Sequence, residues 1–404
     1  MSDSVTKVTQ HSWFERLGAS IKGVLIGVVL FLVSFVVLWW NEGRAVKTAA
    51  GLRQLRVEVV SADPARIDPA NEGRAVYLTG NATTSETLAD AEFGIAAPAI
   101  RLRRQAEMYQ WQEESRTEER RKTGGGSERV TTYDYKRVWS ERAIPSDRFQ
   151  RPADHANPGP LRVTSRDAAA SEVTLGAYRL SPSLIGQMSN FQTLPISERE
   201  AEAIRAQFDD QVVISGNTVY LPFSPDGPLP DPGSPAIGDL KVEFSTVSPA
   251  MVSLIARQIQ GTFEPWRAAS GTVFERLTVG TFSADEMIGR MESENTTLTW
   301  LLRLGGFAMM AAGIGMVLAP VAVVADVLPI LGDLMRMGTG LFAVVVAGAL
   351  SLAIIAVAWL AYRPVLAIGL LVVGAALVGG LWTVARSRKA QAAAAAPPPP
   401  APMG

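Results

Sequence analysis

Four stretches of the chain run long without a charged residue: 23–40 (18 residues), 304–325 (22), 337–362 (26) and 364–385 (22). A helix rises ~1.5 Å per residue and a hydrocarbon core is about 30 Å thick, so each run predicts a transmembrane helix. The first follows Lys7, Arg16 and Lys22, as a signal peptide would, but it ends in Trp39-Trp40-Asn41-Glu42 rather than in small residues suited to cleavage. Tryptophans at the headgroup level mark a retained anchor. Between the first and second runs, residues 41–298 are too many for a connecting loop and predict a soluble domain.

Inside that domain the pattern changes to period two. Strands are expected over 75–84, 99–115, 129–141, 217–223, 240–247, 251–260 and 271–282. The charged, Gly-rich stretch 116–129 separates two of them and predicts the tip of a long β-hairpin. Ser197 with Glu200, a capping box, and Ser283 as a cap predict helices over 195–209 and 283–297. The fold class is therefore a membrane protein with one N-terminal and three C-terminal transmembrane helices around a β-rich α+β domain. The Ala/Pro tail within 386–404 is low in complexity and is expected to be disordered.

Charge sets the expected orientation. The lead, 1–22, and the tail both carry Lys and Arg, and an even helix count puts them on one side. The positive-inside rule makes that side cytoplasmic, with the 326–336 loop, and places 41–298 in the periplasm or a lumen. Arg44, Lys47, Arg53 and Arg56 argue the other way, but long domains translocate largely regardless of charge.

The formal net charge of −1 argues for no nucleic-acid partner, and the lack of cysteine excludes disulfides and thiolate chemistry. Only two histidines exist, His11 and His155, both expected on the surface. The chain has no P-loop, HExxH or GxSxG. The carboxylate pairs Glu113-Glu114, Glu118-Glu119 and Asp209-Asp210 sit among polar residues and read as solvated faces. No catalytic residue, cofactor or metal is expected. None of the four runs holds an Asp, Glu, Lys, Arg or His, which disfavours a transport path. Small residues four apart predict helix packing or oligomer contacts: Ala311 with Gly315, Ala375 with Gly379, and Ala376 with Gly380.

One hexapeptide, Asn-Glu-Gly-Arg-Ala-Val, occurs at 41–46 and again at 71–76. Asn-Glu-Gly is turn chemistry, so both copies are expected as turns at the membrane-facing edge of the domain. Val46, Ala49, Leu52 and Leu55 have helical spacing and predict a short amphipathic helix on the membrane surface. Residues 324–337 are expected as another short re-entrant or interfacial helix. Glu42, Arg44, Lys47, Glu72 and Arg74 are membrane-facing candidates, and Arg103, Arg104, Tyr109 and Trp111 are interaction candidates.

These residues also carry a resemblance. Asn41-Glu42-Gly43-Arg44 with Lys47-Thr48, the second Asn71-Glu72-Gly73-Arg74, Leu102-Arg103-Arg104 and Glu107-Met108-Tyr109-Gln110-Trp111 are similar to the transmembrane protein 43 (LUMA) family. Gly238-Asp239-Leu240, Ile255-Ala256-Arg257-Gln258, Phe282-Ser283-Ala284 and Tyr362-Arg363-Pro364 extend the resemblance over almost the whole chain. Gln105-Ala106 stands where animal members carry His-Val, so no histidine role is implied there. The Gly-Gly-Gly tip and Ala/Pro tail depart from those members and suggest a bacterial homologue in the inner membrane. The resemblance implies four membrane helices, an OB-fold-like luminal or periplasmic domain and no established enzymatic activity. In animals it implies the endoplasmic reticulum and inner nuclear membrane, with self-association and binding to lamins and emerin. The expected function is a non-enzymatic scaffold that self-associates, contacts lipid and organises other membrane proteins. The alternatives are a membrane-bound enzyme on lipid or envelope substrates, or an oligomeric channel. Under the scaffold expectation, charge reversal at Arg103 and Arg104 weakens association without unfolding the domain.

Overall fold

A computed structural model describes residues 4–122, 125–327, 329–362 and 364. Its elements run in this order: β1 (Ser4–His11), α1 (Trp13–Glu58), β2 (Ala75–Thr83), β3 (Thr87–Asp90), β4 (Ile95–Pro98), β5 (Arg101–Arg121), β6 (Ser127–Ser140) and β7 (Arg166–Ala169). There follow α2 (Pro182–Gln187), α3 (Glu198–Gln207), β8 (Val213–Ser215), β9 (Thr218–Leu221), β10 (Leu240–Val247) and β11 (Ala250–Ile259). β12 (Thr262–Glu264), β13 (Arg276–Val279), α4 (Ala284–Ala325) and α5 (Pro329–Tyr362) complete the set, with several two-residue strands between.

The chain divides into two units. One holds 1–16, 49–294 and 326–329; the other holds 17–48, 295–325 and 330–404. In the first, β1-β6-β5-β10-β9-β8 form the path of an eight-stranded sheet. In the second sheet β11 pairs antiparallel with β2, β12 and β13. Alternation places Leu102, Ala106 and Met108 of β5, Val242 and Phe244 of β10, and Leu78 and Leu254 of the second sheet in one buried cluster. These sheets of eight and seven strands exceed the five-stranded barrel of an OB-fold. A second cluster joins Leu52 and Leu55 of α1 to Met287, Ile288 and Met291 of α4, with Trp266 and Phe274.

The hairpin is as expected and longer. β5 and β6 pair from Met108 opposite Ser140 to Arg121 opposite Ser127. The capping box at Ser197 forms, with Glu200 reaching back to the Ser197 N–H. Ser283 and Glu286 make the same exchange at the start of α4.

Several expectations are corrected. β1 lies within the 1–22 lead, yet it pairs along its whole length with Asp134–Ser127 of β6. Arg16 donates to the Gly125 carbonyl and pairs with Asp326 at 2.5 Å, so the loop after α4 belongs to the same unit. Val5, Thr6, Val8 and Thr9 give this edge strand its β-branched residues. The amphipathic stretch after residue 46 is helical, but it continues α1 and buries Leu52 and Leu55 in a protein core. Among the described residues the stretch 324–337 is divided between two long helices: α4 ends at Ala325 and α5 starts at Pro329.

In the second unit α1, α4 and α5 are each long and apolar enough to cross a membrane. The expected fourth helix, 364–385, with Ala375, Ala376, Gly379 and Gly380, lies outside the described residues apart from Pro364.

Candidate functional site

The first Asn-Glu-Gly-Arg copy is helix, not turn. It lies in the 46-residue α1 with every backbone group in the helical ladder. Its side chains join three helices. Glu42 is 1% exposed and takes both donors of Arg303 from α4, Nε to Oε1 at 2.7 Å and Nη2 to Oε2 at 2.9 Å. Trp359 of α5 donates its indole N–H to the same carboxylate at 2.8 Å. Asn41, fully buried, donates to the Thr299 carbonyl, while Arg44 donates to Asn295 Oδ1 and Thr299 Oγ1. A Cβ on Gly43 would lie 2.8 Å from the Tyr362 ring, so the glycine lets α5 close on α1. Lys47 of the next turn is exposed.

Farther along α1, backbones meet. A Cβ on Gly27 or on Gly313 would stand 2.7 Å from the other's carbonyl oxygen. Of the candidates for helix packing, Ala311 packs against the core around Leu38 and Met310, while among the described residues nothing lies within 4 Å of a Cβ on Gly315.

The second copy is a turn, as expected. A 3-10 helix covers Pro69–Asn71, and Gly73 sits at φ +77°, where a side chain is disfavoured. Asn71 is buried. Glu72 accepts from the Gln260 N–H at the turn between β11 and β12, and the Gly73 N–H and Arg74 carbonyl pair with Gln258. Arg74 is exposed.

The basic cluster divides by strand alternation. Arg104 points into the core at 5% exposure, pairing with Asp90 at 3.0 Å and Glu92 at 2.6 Å beside the Phe93 ring. Arg101 and Arg103 share the opposite face, both paired with Asp167 and both beside the Phe191 ring. Reversing Arg104 would set a third carboxylate beside buried Asp90 and exposed Glu92, so Arg104 is expected to matter to the fold as well as to any contact.

Tyr109 and Trp111 share that outer face with Arg103. Tyr109 lies opposite Trp139 with ring centroids 5.1 Å apart, and Trp139 is 6.1 Å from Tyr220. Arg137 stands over Tyr109 and Trp111 at 5.9 and 5.6 Å, and Lys241 over Trp139 at 5.3 Å. The four rings are half-buried and Arg137 is exposed. One end of the strip is covered. His155, expected at the surface, is 1% exposed, stacked on Tyr135 at 3.7 Å and edge-on to Trp111 at 4.7 Å. Asn157 holds both the N–H and the carbonyl of Trp111. Burial, followed by the hydrogen bond to Glu113, pushes the Tyr135 phenol up to about 12. It therefore stays a proton donor to that carboxylate.

Sequence reasoning missed Arg303, Trp359, Trp139, Arg137 and Tyr220. The last three were reachable, since pairing the hairpin's two patterns sets Trp139 opposite Tyr109 and Arg137 opposite Trp111. Arg303 and Trp359 have no local signal, because their partner is 261 and 317 residues away. Among the described residues no three His, Asp or Glu side chains gather as a metal site.

A family model described as Transmembrane protein 43 matches residues 108–364. The human protein named Transmembrane protein 43 is 36% identical over 94% of this chain and 93% of its own length. The mouse protein of that name is 34% identical over 89% of each chain. The Drosophila melanogaster Transmembrane protein 43 homolog is 27% identical over 87% of this chain and 92% of its own. No solved structure matches.

Proposed function

The chain belongs to the transmembrane protein 43 family, and on that premise we propose that it is a non-enzymatic multi-pass scaffold that self-associates and organises other membrane proteins or local lipid through its β domain. The observation that carries this reading is the outer strip of Tyr109, Trp139 and Tyr220 with Arg137 and Lys241. Aromatic residues and arginine are the types enriched in protein interfaces, because rigid rings bury much area at small entropic cost and a guanidinium both stacks and pairs. The strip lies on strands held by continuous ladders, so it is preorganised. The reading is tested on the full chain in nanodiscs by mass photometry, comparing wild type with Arg137→Glu and Trp139→Ala. A defined assembly that both variants shrink, with unchanged circular dichroism, supports it. An assembly that persists in both folded variants removes the strip as its contact.

For the side on which the domain stands, two observations oppose each other. The Lys and Arg bias favours cytoplasmic termini and a periplasmic or luminal domain. The pairing of β1 with β6 favours one side for residues 4–11 and the domain. The cysteine-free chain suits a direct test with single cysteines at Ser4 and Ser224 and an impermeant thiol reagent. Labelling from the same side upholds the ladder; labelling from opposite sides upholds the charge rule.

A further inference from the structure

We infer that the cleft between α2, β13 and the third turn of α4 is a binding site for a phosphate-bearing anion. The cleft encloses about 360 Å³, within the ~300–1,000 Å³ of small-ligand sites. Arg276 enters from β13, Arg290 and Glu294 from α4, and Gln187, Ser189 and Asn190 from the end of α2 and the segment after it. It opens onto a wider trough along α4 that again includes Arg290 and Glu294.

The two carboxylates flanking Arg290 each hold another partner, and Arg290 adds a smaller electrostatic share to the lowering of Glu286. Glu294 pairs with Arg276. Glu286, four residues before Arg290 on the same helix, accepts from the backbone and hydroxyl of Ser283, which hold its carboxyl below the usual range. Arg290 itself stands over the Phe282 ring, its Cζ 3.9 Å from the centroid, and lines the cleft. A guanidinium held over a ring face keeps its N–H donors available to a further partner. Planar N–H donors match phosphate oxygens in geometry and charge. The hydroxyl of Ser189 and the amide of Asn190 are exposed in the same cleft and add neutral donors. Helix-terminal N–H groups are not the source of the site, since Ser283 caps α4 four residues before Met287 enters the lining.

Two sources present this chemistry, a phospholipid headgroup and a soluble phosphate. The chain itself favours the headgroup: its second apolar run begins soon after Arg290, with Trp300, Leu301 and Leu304 exposed. This inference stands apart from the scaffold reading, because an anion can occupy the cleft whether or not the protein self-associates.

The test is native mass spectrometry of the full chain in detergent, with phosphatidylglycerol, with phosphatidylcholine, and with inorganic phosphate. The expected result is retention of phosphatidylglycerol over phosphatidylcholine. Arg290→Gln should lower that retention about tenfold, the loss of one charged donor group. Glu294→Gln should raise it, because it removes a carboxylate from the cleft and frees Arg276; a variant that gains binding has not misfolded. Inorganic phosphate bound with the same dependence on Arg290, and no lipid retained, would assign the soluble source and keep the anion site. Equal retention of both lipids with no phosphate bound, or retention indifferent to both substitutions, would overturn it.

Discussion

Asn41-Glu42-Gly43-Arg44 lies inside a 46-residue helix, whereas Asn71-Glu72-Gly73-Arg74 spans the end of a 3-10 turn and the approach to a strand. In the first, Glu42 is buried and paired; in the second, Glu72 is exposed and accepts from a loop N–H. Glycine is needed in both, for different reasons. Gly43 makes room for the Tyr362 ring, and Gly73 supplies a positive φ. The flanks decide. The first copy continues an apolar helix and is followed by Ala, Lys, Leu and Arg, all good helix formers. The second follows Pro69 and precedes Val76, Tyr77 and Leu78, which suit a half-buried strand. The recurrence is one set of side chains used by two backbones. It shows that a motif's chemistry is set by where its chain sits.

Substitutions made in parallel at the two copies sharpen this contrast. The largest difference is expected at glutamate. Glu42→Ala strands Arg303 and the Trp359 N–H, and breaking a buried pair costs about 3–5 kcal/mol. Glu72→Ala removes one exposed hydrogen bond, worth about 1 kcal/mol. Denaturant unfolding in mixed micelles compares them, and equal losses would erase the contrast. Next come the glycines. Gly43→Ala should cost about 1–3 kcal/mol by overpacking against Tyr362. Gly73→Ala should cost about 1–2 kcal/mol through the left-handed backbone alone. Tyr362→Leu in the Gly43→Ala background should recover part of the first loss and none of the second. Arginine follows: Arg44→Ala loses bonds to Asn295 and Thr299 and should cost about 1–3 kcal/mol, while the exposed Arg74→Ala should fall within about 0.5 kcal/mol.

The smallest effect belongs to the β domain alone. The folded Tyr135 phenol titrates near 12, above its ordinary value of 10, so its contribution is complete below pH ~10 and is lost as pH rises through about 12. Tyr135→Phe should flatten the alkaline fall in domain stability, read by near-ultraviolet circular dichroism.

Much of the fold was legible because periodicity carries it. The apolar runs marked the cores of α1, α4 and α5, and the stretch 240–247 is β10 residue for residue. The capping box at Ser197 and the cap at Ser283 were readable because helix-start signals are local, within three residues. The site was only half legible. Tyr109, Trp111 and Arg103 do share an outer face, but Arg104 has the opposite parity and is in the core. Asn41-Glu42-Gly43 looked like a turn because turn propensity is local, and the burial that overrides it comes from Thr299, Arg303, Trp359 and Tyr362. β1 was read as a polar lead because strand pairing across more than 100 residues leaves no mark in either segment alone.

The most direct test of this account is a double-mutant cycle between Glu42 and Arg303 in the full chain, using Glu42→Ala, Arg303→Ala and the pair, with reversible unfolding in mixed micelles as the readout. If the first copy bolts α1 to α4, each single change is costly and the double change costs much less than their sum, with a coupling of about 2 kcal/mol or more. Additive losses would contradict it and return residues 41–44 to the surface role that turn chemistry alone suggests.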